Sequence, residues 1–319
     1  MSGKGDHNSR MTGEDSPVVP AYAGTHHPCQ DSSERDGQSS RSTDGPVVMD
    51  PGLRRDDKVG GWRDIRTLAA SAAIISVAVF AAAAIWVASL PPLPFADAKK
   101  VSTTILDRNG KLLRAFAMVD GRWRLPAHAK DVDPGYLNLL LNYEDRRFRS
   151  HIGVDPLAVG RAAYQLVTRG HIVSGGSTIT MQVARLMEPR QERSVTAKLR
   201  QMVRAVQLER TLSKDEILDL YLTLAPFGGN LEGVRAASFA YFGKEPKRLS
   251  LAESALLVAL PQSPETRRLD RHPGAARAAR DRVLSLMAAE GRVSADDAAQ
   301  SKRESVPRLR KLLHAPFSL

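Results

Sequence analysis

Two adjacent carboxylates, Glu144 and Asp145, close an apolar run and are followed by Arg146, Arg147, Phe148, Arg149, His151 and Asp155. The run 136–143 reads as helix, so Glu144 falls near a helix C-terminus. Unpaired carbonyls there raise a carboxyl pKa, while Arg146, Arg147 and His151 would lower it. A carboxylate held between opposing influences suits general acid–base chemistry. Taken alone, the same residues also describe a solvated charge run capping a helix.

A second constellation starts at Ser174-Gly175-Gly176-Ser177-Thr178. Paired glycines and hydroxyl residues at a helix start leave backbone N–H groups to face an anion. Thr178, Gln182 and Arg185 then recur at i, i+4 and i+7 on one polar face. The next helix puts Lys198 and Gln201 on one side, and Arg190, Arg193, Arg200, Arg204 and Arg210 make the region cationic. Solvated faces account for most such charges. An arginine below a glycine-rich helix start is nevertheless what a diphosphate would need, although the spacing is not that of a Walker loop.

These elements sit in a chain of 319 residues with formal net charge +11. That balance points to an anionic partner: nucleic acid, phospholipid headgroups or a phosphorylated substrate. The single cysteine, Cys29, excludes an intrachain disulfide and a cysteine-based zinc site. Residues 1–61 are rich in Gly, Ser, Asp, Pro and His without hydrophobic periodicity, and are expected to be a disordered cytoplasmic leader. Stretch 67–90 carries no charge and as a helix would extend about 36 Å, enough to cross a bilayer. Arg54, Arg55, Lys58, Arg63 and Arg66 before it place the N-terminus in the cytoplasm. Pro91-Pro92-Leu93-Pro94 follows as a stiff spacer, so 62–94 is expected to be a retained anchor and not a cleaved signal.

Beyond it, 95–310 is expected to form one mainly α domain with a small N-terminal β element. A hairpin is expected over 103–116, turning at Asn109-Gly110. Helices are expected at 134–148, 156–169, 178–188, 195–211, 214–222, 231–241, 251–260, 273–290 and 295–303. Ser213 with Glu216 makes a capping box, and Ser250 and Ser294 cap two more helices.

The order of these motifs resembles the family 51 glycosyltransferases, the peptidoglycan polymerases of bacterial walls. The resemblance rests on Glu144-Asp145-x-x-Phe148-x-x-His151-x-Gly153-x-Asp155, Gly175-Gly176-Ser177-Thr178-Ile179-Thr180-x-Gln182 and Lys214-x-x-Ile217-Leu218-x-x-Tyr221-Leu222. Ala236-Ala237-Ser238, Tyr241-Phe242-Gly243-Lys244 and Leu260-Pro261-Gln262-Ser263-Pro264 continue it to about residue 305. Ala225 to Asn230 and Lys198 to Gln201 look nearest to one branch of the family.

The family implies a lysozyme-like α fold and β-1,4 polymerisation of lipid II with release of undecaprenyl diphosphate. Glu144 would be the general base on the acceptor 4-hydroxyl, with Asp145, Phe148 and His151 shaping the acceptor side. Thr178, Gln182, Arg185 and Lys198 would hold the donor diphosphate, and the resemblance admits a divalent cation, Mg or Mn, beside it. Gln201 stands where many members carry an acidic residue, and Met181 replaces one glutamine of the usual pair. No Ser-x-x-Lys or Lys-Thr-Gly motif for a transpeptidase is expected to act in this chain, so a separate transpeptidase is the implied partner. The bacterial inner membrane is the implied site, with a single pass and a periplasmic catalytic domain. Three rival readings are a muralytic hydrolase, an inactive scaffold remnant and a nucleic-acid binder. The anchor argues against the last.

Overall fold

The computed structural model describes residues 60–170, 176–188 and 194–307; residues 1–59 of the expected leader lie outside them, and its last two, Gly60 and Gly61, are helical. The chain divides into two compact units, 1–70 and 71–319. Helix α1, Gly60–Ala88, starts before the expected apolar run. Its stretch Ile65–Ala88 is long and apolar enough to cross a membrane, and Ile74, Ile75, Val77, Val79, Phe80 and Ile85 are all exposed. A helix apolar on every exposed face has no aqueous side to turn to water.

A short helix α2, Phe95–Ala98, precedes the hairpin of β1, Thr104–Leu106, and β2, Leu112–Ala115. The hairpin turns where Asn-Gly predicts it, with Asp107 Oδ1 accepting from the backbone N–H groups of Asn109 and Lys111. A second sheet, absent from the sequence expectation, joins β3 (Trp123–Arg124), β4 (Pro226–Gly228) and β5 (Leu231–Glu232) in the order β3-β5-β4.

The helices are α3 (Pro134–Glu144), α4 (Pro156–Arg169), α5 (Ile179–Met187), α6 (Val195–Thr211) and α7 (Lys214–Leu224). They continue with α8 (Val234–Phe242), α9 (Leu251–Ala259), α10 (Pro273–Ala289) and α11 (Ala295–Arg303). Two differ from expectation for physical reasons. Helix α3 stops at Glu144 and not at 148, because Asp145 turns away to accept the N–H of Ile179. Helix α8 starts three residues late because Leu231–Glu232 pairs as a strand. Gly233, at φ +85°, turns the chain where a Cβ would stand 2.7 Å from the Thr223 carbonyl.

Side-chain caps fix several helix starts. Ser213 and Ser250 each form a capping box, and Ser294 caps α11. Helix α9 is the spine of one half: Ala255, Leu256, Leu257, Val258 and Ala259 are buried, and it packs on α3, α10 and α11. Burying each of its leucines is worth about 1.5–3 kcal/mol. In the other half α5 packs against α6 and α7. Glu144 ends a helix of the first half and faces a helix of the second.

Candidate active site

Glu144 accepts hydrogen bonds from two amides. Gln182 Nε2 on α5 lies 2.8 Å from Oε2, and Gln262 Nε2, in the single 3-10 turn Leu260–Gln262 after α9, lies 2.9 Å from Oε1. Burial pushes the Glu144 carboxyl above its ordinary value, the two amides oppose this, Asp145 adds to the rise and Arg185 lowers it. The cations differ from those expected. Arg146 pairs with Glu290, Arg147 with Asp155 and His151 with Asp145. The arginine acting on Glu144 is Arg185, which sequence spacing had placed with the diphosphate.

Glu144 stands on the wall shared by two cavities. One, of about 670 Å³, is lined by Gln182, Arg185, Ser194, Lys198 and Gln201 along with Glu144 and Gln262. The other, of about 700 Å³, is lined by Asn142, Arg146, Arg147, Arg161, Thr178 and Glu290, again with Glu144 and Gln262. Their charges are arranged differently. In the second cavity Arg146 and Arg147 are neutralised by Glu290 and Asp155. In the first, the buried Nε of Arg185 has no hydrogen-bond partner among the described residues. Partial burial pushes the Lys198 pKa down, and Arg185 adds to this. Arg185 and Lys198 repel one another, and Glu144 is the one carboxylate among the described lining residues, so this cavity gains from a polyanionic ligand.

Five expected residues, Glu144, Gln182, Arg185, Lys198 and Gln201, therefore line a single cavity. The other four sit differently. Thr178 is 2 % exposed, and its hydroxyl is engaged twice, donating to Gly153 O at 2.6 Å and accepting from Met181 N at 3.1 Å. It is the N-cap of α5 and has no donor left for a diphosphate. The start of α5 does attract an anion, but that anion is the protein's own: Asp145 Oδ2 accepts from Ile179 N at 3.0 Å. Gly175 and Ser174 lie outside the described residues.

His151 and Phe148 form the underside. His151 Nδ1 accepts from Gly153 N, so Nε2 carries the proton and donates to Asp145 at 3.0 Å. Phe148, 1 % exposed, packs edge-on against His151 and lies under Lys214 Nζ at 4.7 Å from its ring centre. Lys214 Nζ donates in turn to His151 O and to Glu209 Oε1, which also accepts from Thr180. Asp145 reaches the second cavity, whereas Phe148 and His151 line neither and act through it. The expected acceptor-side contact by those two rings is replaced by support from below.

Among the described residues no group of three His, Cys, Asp or Glu side chains converges to hold a metal. The first cavity offers two cations, the neutral amides Gln182, Gln201 and Gln262, and one carboxylate, Glu144, already held by two of those amides, a donor set that does not fit a protein-held divalent ion. Gln262 is the site residue the sequence left without a role. It stands in the Leu260-Pro261-Gln262-Ser263-Pro264 segment, which entered only as part of the family resemblance.

One carboxylate thus stands at the junction of a cavity with two cations and a charge-balanced one. The transglycosylase family model matches residues 109–288. The chain belongs to that family, the family 51 glycosyltransferases. It is 47 % identical over 240 residues to penicillin-binding protein 1C of Escherichia coli K12, covering 75 % of this chain and 30 % of the relative. This is the branch that the Ala225 to Asn230 and Lys198 to Gln201 wording resembles. It is also 40 % identical over 179 residues to penicillin-binding protein 1A of Pseudomonas aeruginosa, covering 54 % of this chain and 21 % of the relative. With penicillin-binding protein 1F of Bacillus subtilis 168 the identity is 34 % over 210 residues, covering 65 % and 29 %. The chain thus spans less than a third of the length of these curated relatives.

Proposed function

We propose that this chain is a membrane-anchored peptidoglycan glycosyltransferase that polymerises lipid II into β-1,4 glycan and releases undecaprenyl diphosphate. The observation that carries the reading is Glu144, held by two amides at the junction of the two cavities. The acceptor's 4-hydroxyl sits in the charge-balanced cavity and gives its proton to Glu144. Its oxygen attacks the donor's anomeric carbon as the bond from that carbon to the diphosphate oxygen breaks. The configuration inverts, and the electron pair leaves on the diphosphate.

Arg185 and Lys198 stabilise the charge that develops on that leaving group, a contribution largest where water is excluded. Gln182 aims Glu144, and Gln201 supplies an amide toward the same cavity. No step is routed through a metal. Asp145 and His151 hold the start of α5, and with it Gln182 and Arg185, in register with Glu144.

Residues of α4 support the membrane part of the reading. Leu157, Tyr164 and Val167 are exposed on one face of α4, and Arg161 and Arg169 flank it. We place this face against the membrane surface, where it admits the lipid tail, with α1 as the single anchor and the N-terminus cytoplasmic.

Incubating the full chain with lipid II in detergent tests the proposal. Polymer from the wild type and none from Glu144→Gln supports it, whereas shortening of preformed glycan means a hydrolase. Gln201 in place of an acidic residue favours a scaffold remnant as the second reading. No polymer from either would establish that reading instead, whereas equal polymer from both would remove Glu144 from the role of base.

A further inference from the structure

Gln262 lies on the wall shared by both cavities, and its Nε2 donates to Glu144. On its other side, Oε1 accepts from Tyr143 Oη at 3.4 Å and from Arg267 Nη1 at 3.3 Å. Arg267 decides which way round the amide sits, because a guanidinium has donors and no acceptor. It is itself held in place: Nη1 also donates to Ala259 O, and its backbone N–H donates to Ser263 O at 3.0 Å. A flipped amide would set its NH2 against the guanidinium and its oxygen against the Glu144 carboxylate. Both contacts would be repulsive.

We infer that Tyr143 and Arg267 lock the Gln262 amide with its N–H toward Glu144, making Gln262 a positioning residue that keeps the carboxylate ionised and fixed between the two cavities. The inference rests on the reading of Glu144 as the general base. A donor to a carboxylate favours its charged form, so loss of the lock moves the Glu144 titration to higher pH. The base is active only when ionised, so the acid limb of the rate profile follows in the same direction.

The test is a titration of the full chain by carbon NMR of its glutamate carboxyls, with Glu144 assigned by the signal missing in Glu144→Gln. Gln262→Met removes the donor at similar volume and is expected to raise the midpoint by about one pH unit. Arg267→Ala and Tyr143→Phe are expected to raise it by less, and Arg267→Lys to return it toward wild type. Tyr143→Phe changes no charge, so its shift separates the lock from a simple loss of positive charge. It also decides the matter where Arg267→Ala does not fold.

An unmoved midpoint in Gln262→Met overturns the proposal. Unmoved midpoints in Arg267→Ala and Tyr143→Phe, with rates lowered equally at every pH, overturn the lock and leave a structural part for both residues. The titration needs no turnover. A wild type that makes no polymer therefore refutes the glycosyltransferase reading, while the lock is still judged on the midpoints.

Discussion

Glu144 is a carboxylate whose burial outweighs the two amides that serve it, and this has consequences for both rate and stability. Its folded-state pKa is raised above the ordinary 4.5, so the folded protein binds that proton more tightly than the unfolded chain does. Its contribution to stability is complete below the unfolded value and is lost as pH rises through the raised one. Melting temperatures across that window should fall with pH in the wild type relative to Glu144→Gln, in which nothing titrates at that position. Polymerisation should run in the opposite direction, rising through the same window. At its plateau Glu144→Gln should be slower by about 10²–10⁴-fold. Arg185→Ala should lower polymerisation by about 10–100-fold, as expected for losing a charged contact to a diphosphate. That deficit should change little with added salt, because a partly buried contact is poorly screened. A steep salt dependence would place Arg185 on a solvated face instead.

At the scale of elements, the start of α5 does the positioning. Thr178 caps it, Asp145 neutralises its N-terminal end, and Gly153, whose carbonyl accepts from Thr178, lets the loop between α3 and α4 pass close against α6. Gly153 has φ +91°, and a Cβ there would stand 2.6 Å from the Ala205 carbonyl carbon and oxygen. Gly153→Ala should therefore cost at least about 2–3 kcal/mol in denaturant unfolding, from strain and overpacking together. Thr178→Ser keeps both hydrogen bonds and should keep activity, whereas Thr178→Ala should cost about 1 kcal/mol of stability. If Thr178→Ser loses donor binding without losing stability, the threonine touches ligand after all.

At the scale of the molecule, α1 and the exposed face of α4 share an excess of apolar surface that water does not favour. Spin labels at Leu157, Tyr164 and Val167 in proteoliposomes should report lipid contact, and labels on α11 should not. Water-like spectra at all three α4 positions would remove the membrane face and leave α1 as the sole contact. The net charge of +11 agrees with an anionic lipid surface as well as with an anionic substrate.

The sequence by itself determined the run of helices, three of their caps (Ser213, Ser250 and Ser294), the hairpin turn, the apolar span and Glu144 as the residue of interest. Each of these depends on neighbours within a few positions, through periodicity, capping geometry or turn chemistry. Tertiary structure alone decided what surrounds Glu144. Gln262 stands 118 positions away in sequence, and only the packing of α9 beside α3 brings its amide to the carboxylate. The same packing pairs Arg146 with Glu290 and Arg147 with Asp155, leaving Arg185 to act on Glu144. Charge depends on distance through space, and spacing along the chain does not fix that distance until the helices are in place.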